Sequence, residues 1–199
     1  MQRKQPSNPA MTATRIAAGD DRTSYDRVSI TLHWLTAVLV LAQFILSQVW
    51  GFTPRPTRHL LIVAHMSFGI TLSAVIIARI LWRVSPGHQA PVASSGWAEL
   101  AAKGVHYLLY ALLVSEAVLG FVLRWSGDES MSFFGLLIPP PFAPFSKAAH
   151  HNIGEAHEFI GWAIIVLAAA HAAAALFHHW VVRDAVLARM LPGLKRRDL

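Results

Sequence analysis

The sequence predicts an all-α fold: an integral membrane four-helix bundle with both termini in the cytoplasm. Three observations carry this. Of 199 residues, 54% are hydrophobic and 14% charged, where a soluble domain has about 45–50% and about 25%. Four apolar runs are each long enough to cross the roughly 30 Å of a bilayer's hydrocarbon core at about 1.5 Å per helical residue. Thirteen of the 17 lysines and arginines lie on one side of those runs. A buried soluble bundle would show polar stripes at helical spacing, which these runs mostly lack.

The chain divides into a polar N-terminal tail (1–27), a membrane domain (28–182) and a basic C-terminal tail (183–199). The N-terminal tail mixes charges of both signs and lacks the apolar core of a cleavable signal peptide, so it reads as a poorly ordered cytoplasmic segment. The spans are Val28–Trp50, Leu60–Trp82, Val105–Trp125 and about Ala156–Val182. In lipid the backbone must satisfy its own hydrogen bonds, so runs of this length are helices. Gly51–His59 is a short outer turn with two prolines, and Val84–Gly104 an inner loop beginning Ser-Pro-Gly. Ser126–Asn152 is the long outer connection; its apolar stretch Phe133–Ile138, too short to span, is expected to lie on the interface as a lid.

Orientation follows from the cations. Five fall in the N-terminal tail, five in the C-terminal tail, and Arg79, Arg83 and Lys103 flank the second connection. The opposite side holds Arg55, Arg58, Arg124 and Lys147. Trp34, Trp50, Trp82, Trp125 and Trp180 sit near span ends, where amphipathic rings favour the interface. The net charge of +6 is thus spread between apolar runs and does not form the single basic face that nucleic acid needs. Absence of cysteine excludes disulfides, iron–sulfur clusters, thiolate zinc sites and a cysteine nucleophile.

Ionisable residues inside spans are costly and mark functional candidates. His33, His65, His106, His157 and His171 qualify by depth. His157 and His171 are 14 residues apart on one helix, about 21 Å along the axis and within about 40° of the same face. Depth pairs His33 with His171 towards the cytoplasm and His65 with His157 on the outer side. Two opposed imidazoles in each layer suit two iron porphyrins, each held by two axial histidines; zinc would need three or four ligands around one ion. Gly69 and Gly161 follow His65 and His157 by one turn, and are expected to clear room beside them. His106 shares the depth of His33, either competing as a ligand or contacting a propionate or quinone. Glu116, at mid-membrane, has no evident partner and reads as protonated or as part of a proton path. His150, His151, His178 and His179 are assigned to loops or helix ends.

Ser29–Trp34 (SITLHW), His65–Ile70 (HMSFGI), His171–His179 (HAAAALFHH) and the terminal Asp184…Leu187…Arg189-Met190-Leu191-Pro192-Gly193 resemble the bacterial cytochrome b561 family over roughly residues 25 to 195. The resemblance implies a two-haem b electron carrier of the bacterial inner membrane, similar also to the membrane cytochrome b subunits of hydrogenases. In the closest-looking members it implies superoxide oxidation at the periplasmic haem, with ubiquinone as electron acceptor. The long N-terminal extension and Glu116, where the family has an apolar residue, depart from it. Filled axial positions disfavour oxygen activation and favour outer-sphere electron transfer, here from an outer donor to the outer haem, the inner haem and then quinone. Arg55, Arg58, Arg124 and Lys147 could draw in an anion such as superoxide, or serve as interfacial anchors or propionate partners. Two other classes remain open: a subunit that docks a periplasmic dehydrogenase or c-type cytochrome, and a haem-free transporter or structural bundle.

Overall fold

The computed structural model describes residues 24–85 and 96–191. The bulk of the N-terminal tail, the Pro86-Gly87 start of the inner loop and the basic end of the C-terminal tail lie outside the described residues. Four long helices dominate: α1 (Arg27–Val49), α2 (Arg55–Val84), α3 (Trp97–Ser126) and α4 (Lys147–Phe177). All four are long and apolar enough to cross a membrane. Between α3 and α4 lies a two-stranded hairpin, β1 (Met131–Phe133) and β2 (Leu136–Ile138). The bundle therefore has a hairpin end and a terminal end.

Local chemistry explains where the helices start and stop. Asp26 caps α1, its carboxylate accepting from the Ser29 amide at 2.9 Å and the Ser29 hydroxyl at 2.7 Å, which satisfies donors that a helix start leaves free. The same carboxylate accepts from Trp82 Nε1 at the far end of α2. A 3₁₀ turn, Trp50–Phe52, ends α1, and a proline in the first turn of α2 starts the return helix, where its missing N–H costs nothing. Arg58 closes that corner by donating to the carbonyls of Trp50 and Gly51. Ser146 caps α4 through the Ala149 amide.

Helices α3 and α4 begin eight and nine residues before their apolar runs, at Trp97 and Lys147. The expected loop positions 97–104 and 147–152 are thus helical. The polar leading turns have their own support: Lys103 pairs with Glu99 one turn away at 2.6 Å, and His150 Nδ1 lies 2.9 Å from Ser126 Oγ.

The stretch expected as a flat lid folds back on itself. Met131 pairs with Ile138 and Phe133 with Leu136, leaving Phe134 (φ 48°) and Gly135 (φ 95°) as the two turn residues. Two consecutive positive φ angles suit the right-handed twist of a tight hairpin. Met131 and Ser132 are buried whereas Phe134, Leu136 and Leu137 are exposed. The hairpin is pinned to α2 by the fully buried Ser67, whose Oγ accepts from the Phe134 amide at 2.9 Å and donates to the Val63 carbonyl.

At the terminal end, α4 loosens into a π-helical turn (His178–Val182) and stops at Arg183 in the left-handed region (φ 60°), a common way to end a helix. Slight burial pushes the Asp184 carboxyl up, but hydrogen bonds from His178 Nδ1 (2.6 Å) and the Val186 amide outweigh it and hold the group below its ordinary 3.8. The segment beyond returns to α1, where Trp34 Nε1 donates to the Met190 carbonyl and the Tyr25 amide to Arg189.

Helix α1 packs chiefly on α2, and α3 on α4; the α2–α3 contact is lighter and α1 touches α4 sparsely. Among the described residues α2 and α4 make no close backbone approach. Ile76, Leu113 and Ile164, from α2, α3 and α4, form the buried apolar layer at mid-depth, with Leu72, Leu112 and Ile160 against it. The outward faces carry exposed side chains such as Val38, Leu81 and Val166, as lipid-facing surfaces do.

Candidate cofactor centres

At the hairpin end, His65 on α2 and His157 on α4 face each other across the gap between their helices, with ring centroids 6.4 Å apart. At the terminal end, His33 on α1 and His171 on α4 are likewise 6.4 Å apart. Two imidazoles on opposite sides of one metal, each bonded at about 2 Å, place their ring centres about 6 Å apart once the half-width of each ring is added. Both ring planes then contain the bond axis and can take any angle about it, so the interplanar angles of 84° and 70° are compatible. Among the described residues, no three His, Asp or Glu side chains converge as a metal shell. Donors that come in twos suit a group carrying its own equatorial ligands, as a porphyrin does.

The hairpin-end pair lines a cavity of about 730 Å³, within the usual range of about 300–1,000 Å³ for preformed small-molecule sites. Trp50, Met66 and Met131 wall it, with Gln43, Glu116 and Arg124 as polar lining. His65 Nδ1 faces the Gln43 carbonyl at 3.3 Å, an orientation that leaves Nε2 for a ligand. Gln43 Oε1 and Glu116 Oε2 are buried without a hydrogen-bond partner. The cavity and the opposed imidazoles fit haem at this end.

The terminal-end pair has the same separation but a different setting. Arg79 Nη2 lies 3.0 Å from His33 Nδ1; a guanidinium only donates, so the ring must accept there. The cation also sits over the Tyr110 ring at 5.1 Å. His106 lies 5.3 Å from His171, so it belongs to this cluster. A metal at His33 is compatible with these residues once Arg79 swings from the ring towards an acidic group, for which its charge is suited.

The sequence profile of prokaryotic cytochrome b561 matches residues 24–193. The chain belongs to the prokaryotic cytochrome b561 family. It is 32% identical over 171 residues to cytochrome b561 homolog 2 of Escherichia coli, covering 84% of this chain and 90% of that one. It is 29% identical over 176 residues to the probable superoxide oxidase CybB of Yersinia pestis, covering 84% and 96%, and 28% identical over 176 residues to cytochrome b562 of Cereibacter sphaeroides, covering 84% and 94%. As a cytochrome b561 family member the chain is a multi-pass bacterial inner-membrane protein of electron transport, and the family's cofactor is b-type haem.

Several site features of this family member were not read from the sequence. Glu116 has a neighbour after all: its Oε1 lies 3.1 Å from His157 Nδ1. Gly161 makes room for Glu116, since a Cβ there would stand 3.3 Å from Glu116 Oε1, and Gly69 makes room for Gln43. Two glycines stand against histidines instead: a Cβ at Gly127 would meet His150 Cε1 at 2.8 Å, and one at Gly120 would meet His157 Cε1 at 3.4 Å. His150, assigned to a loop, lies on α4 and lines the cavity. Arg79 had a signal, a lone cation late in an apolar run, but its neighbour His33 is on another helix. Two of the four hairpin-end cations serve the backbone: Arg58 closes the α1–α2 turn, and Arg124 donates to the Ser130 carbonyl and pairs with Glu129.

Proposed function

We propose that this chain is a di-haem b-type transmembrane cytochrome that links a periplasmic one-electron donor to the quinone pool. His65 and His157 hold haem at the hairpin end, and His33 and His171 hold it at the terminal end. The observation that supports this most strongly is the equal 6.4 Å ring separation of the two pairs. Haem with both axial positions filled supplies outer-sphere one-electron transfer.

The residues of the chain do the rest. The Gln43 carbonyl fixes the ring of His65. Trp50, packed edge-on to His65 at 5.1 Å, and Met131 of the hairpin shield that end from water. The Ile76–Leu113–Ile164 layer separates the two pairs with apolar side chains, which keeps water and ions from joining them. Arg79 and His106 are placed to receive an anionic carboxylate or a quinone at the terminal end.

The donor we favour is superoxide, the substrate named for the Yersinia pestis relative. Arg55 and Lys147 are exposed at the hairpin end, and their positive charge would speed encounter with a small anion.

Haem extraction from the purified chain is expected to give two haems per polypeptide. His65→Leu or His157→Leu should each leave one, and so should His33→Leu or His171→Leu; full haem content in any of these would refute the pairing. Superoxide mixed with the oxidised protein and a quinone acceptor should reduce haem. A haem-replete protein that superoxide leaves oxidised would instead direct the search to a protein donor, such as a periplasmic dehydrogenase or a c-type cytochrome.

A further inference from the structure

Two side chains and two glycines interlock where α3 crosses α4. Glu116 and Gly120 are one turn apart on α3, and His157 and Gly161 are one turn apart on α4. The Glu116 carboxyl sits over Gly161, and the His157 ring sits over Gly120, with would-be Cβ distances of 3.3 and 3.4 Å. Gly161 thus leaves the carboxyl room that a Cβ would crowd, and Gly120 lies in ordinary contact with the ring. Glu116 Oε1 comes within 3.1 Å of His157 Nδ1, a buried ring nitrogen with no well-aligned hydrogen bond, and the buried Oε2 has no partner either. A carboxyl group is costly to place at this depth, and an apolar residue would fill the same volume.

We infer that Glu116 is the positioning residue of His157: its carboxyl oxygen takes the hydrogen bond of Nδ1–H, which holds the ring with Nε2 towards the iron. This rests on the reading of His157 as an axial ligand. A ligating histidine commonly gives its other N–H to a carboxylate or carbonyl, and that acceptor fixes the tautomer and raises ligand basicity. The opposed ring, His65, has only a backbone carbonyl in that role. At the terminal end the group beside His33 is the Arg79 cation. Glu116 therefore favours the oxidised iron at the hairpin end, which is the bias that electron flow away from that end requires.

Spectroelectrochemical titration of the haem-loaded full chain tests this. The hairpin-end wave is identified as the one missing from His65→Leu. Weakening the acceptor in Glu116→Gln and removing it in Glu116→Leu should raise that wave in the order parent, Gln, Leu, and Glu116→Asp should bring it back towards the parent. A roughly tenfold loss of preference for the oxidised iron corresponds to about 59 mV for a one-electron couple. The terminal-end wave should stay in place. An unmoved hairpin-end wave in Glu116→Leu, or an equal shift of both waves, overturns the inference. If Glu116→Gln and Glu116→Leu lose the hairpin-end haem, Glu116→Asp decides: recovery of haem supports a positioning carboxyl, and loss in Asp as well overturns it. Failure of the underlying reading looks different, because His157→Leu would then keep both haems.

Discussion

Ser67 shows how one side chain can tie a connection to the membrane domain. Its hydroxyl satisfies its own helix by donating to the Val63 carbonyl at 2.7 Å, and still accepts the Phe134 amide from the hairpin turn. The serine is fully buried, so no water competes for either bond. Ser67→Ala removes the acceptor of that amide, and a lost hydrogen bond of this kind costs about 1 kcal/mol. The variant should retain its helix content and haem, while limited proteolysis cuts more rapidly near Phe134. Cleavage at the parent rate would show that the strands and Met131 alone hold the hairpin. The glycines carry the complementary lesson. A helix spacing of four residues marked Gly69 and Gly161 as relevant to the site, but the groups that need their space, Gln43 and Glu116, are on neighbouring helices. Spacing along one helix reports a face; it does not report what arrives from the next.

The elements divide by how much lipid writes into their sequence. All four spans were legible because a hydrocarbon solvent demands an unbroken apolar run. The leading turns of α3 and α4 were not, because Glu99, Lys103, His150 and Glu155 leave the same polar signature in a loop as in a helix that emerges into water. The cap at Ser146 is a start signal of the kind that could have moved that boundary. The hairpin was harder still. Its strands have three residues each, and the turn uses Phe134 at a positive φ where Asn or Asp would have announced it. The break at the end of α4 likewise depends on Asp184, whose carboxylate reaches back to His178 and forward to the Val186 amide. Histidine depth was legible because an α-helix has a fixed rise. The Glu116–His157 approach needed the α3–α4 register, which no single helix contains.

Sidedness is a property of the whole chain. Four crossings bring both ends of the described chain to one side, and the Tyr25 amide donating to the Arg189 carbonyl shows them meeting there. We propose which side from charge: Arg79, Arg83, Arg183 and Arg189 lie towards that end, and cations adjacent to spans are retained in the cytoplasm. On the orientation proposed from charge, the hairpin end, with the cavity and the His65–His157 pair, faces the periplasm. The chain has no cysteine, so single introduced thiols report position without background. Phe52 is 91% exposed at the hairpin end. A membrane-impermeant maleimide added to intact spheroplasts should label Phe52→Cys and spare Ser7→Cys and Leu199→Cys; inside-out vesicles should give the reverse. If Ser7→Cys and Leu199→Cys react from outside while Phe52→Cys does not, the bundle is inverted, and the pair with the large cavity faces the cytoplasm. If the two ends react from opposite sides, the number of crossings is odd, and the four-span bundle fails with it.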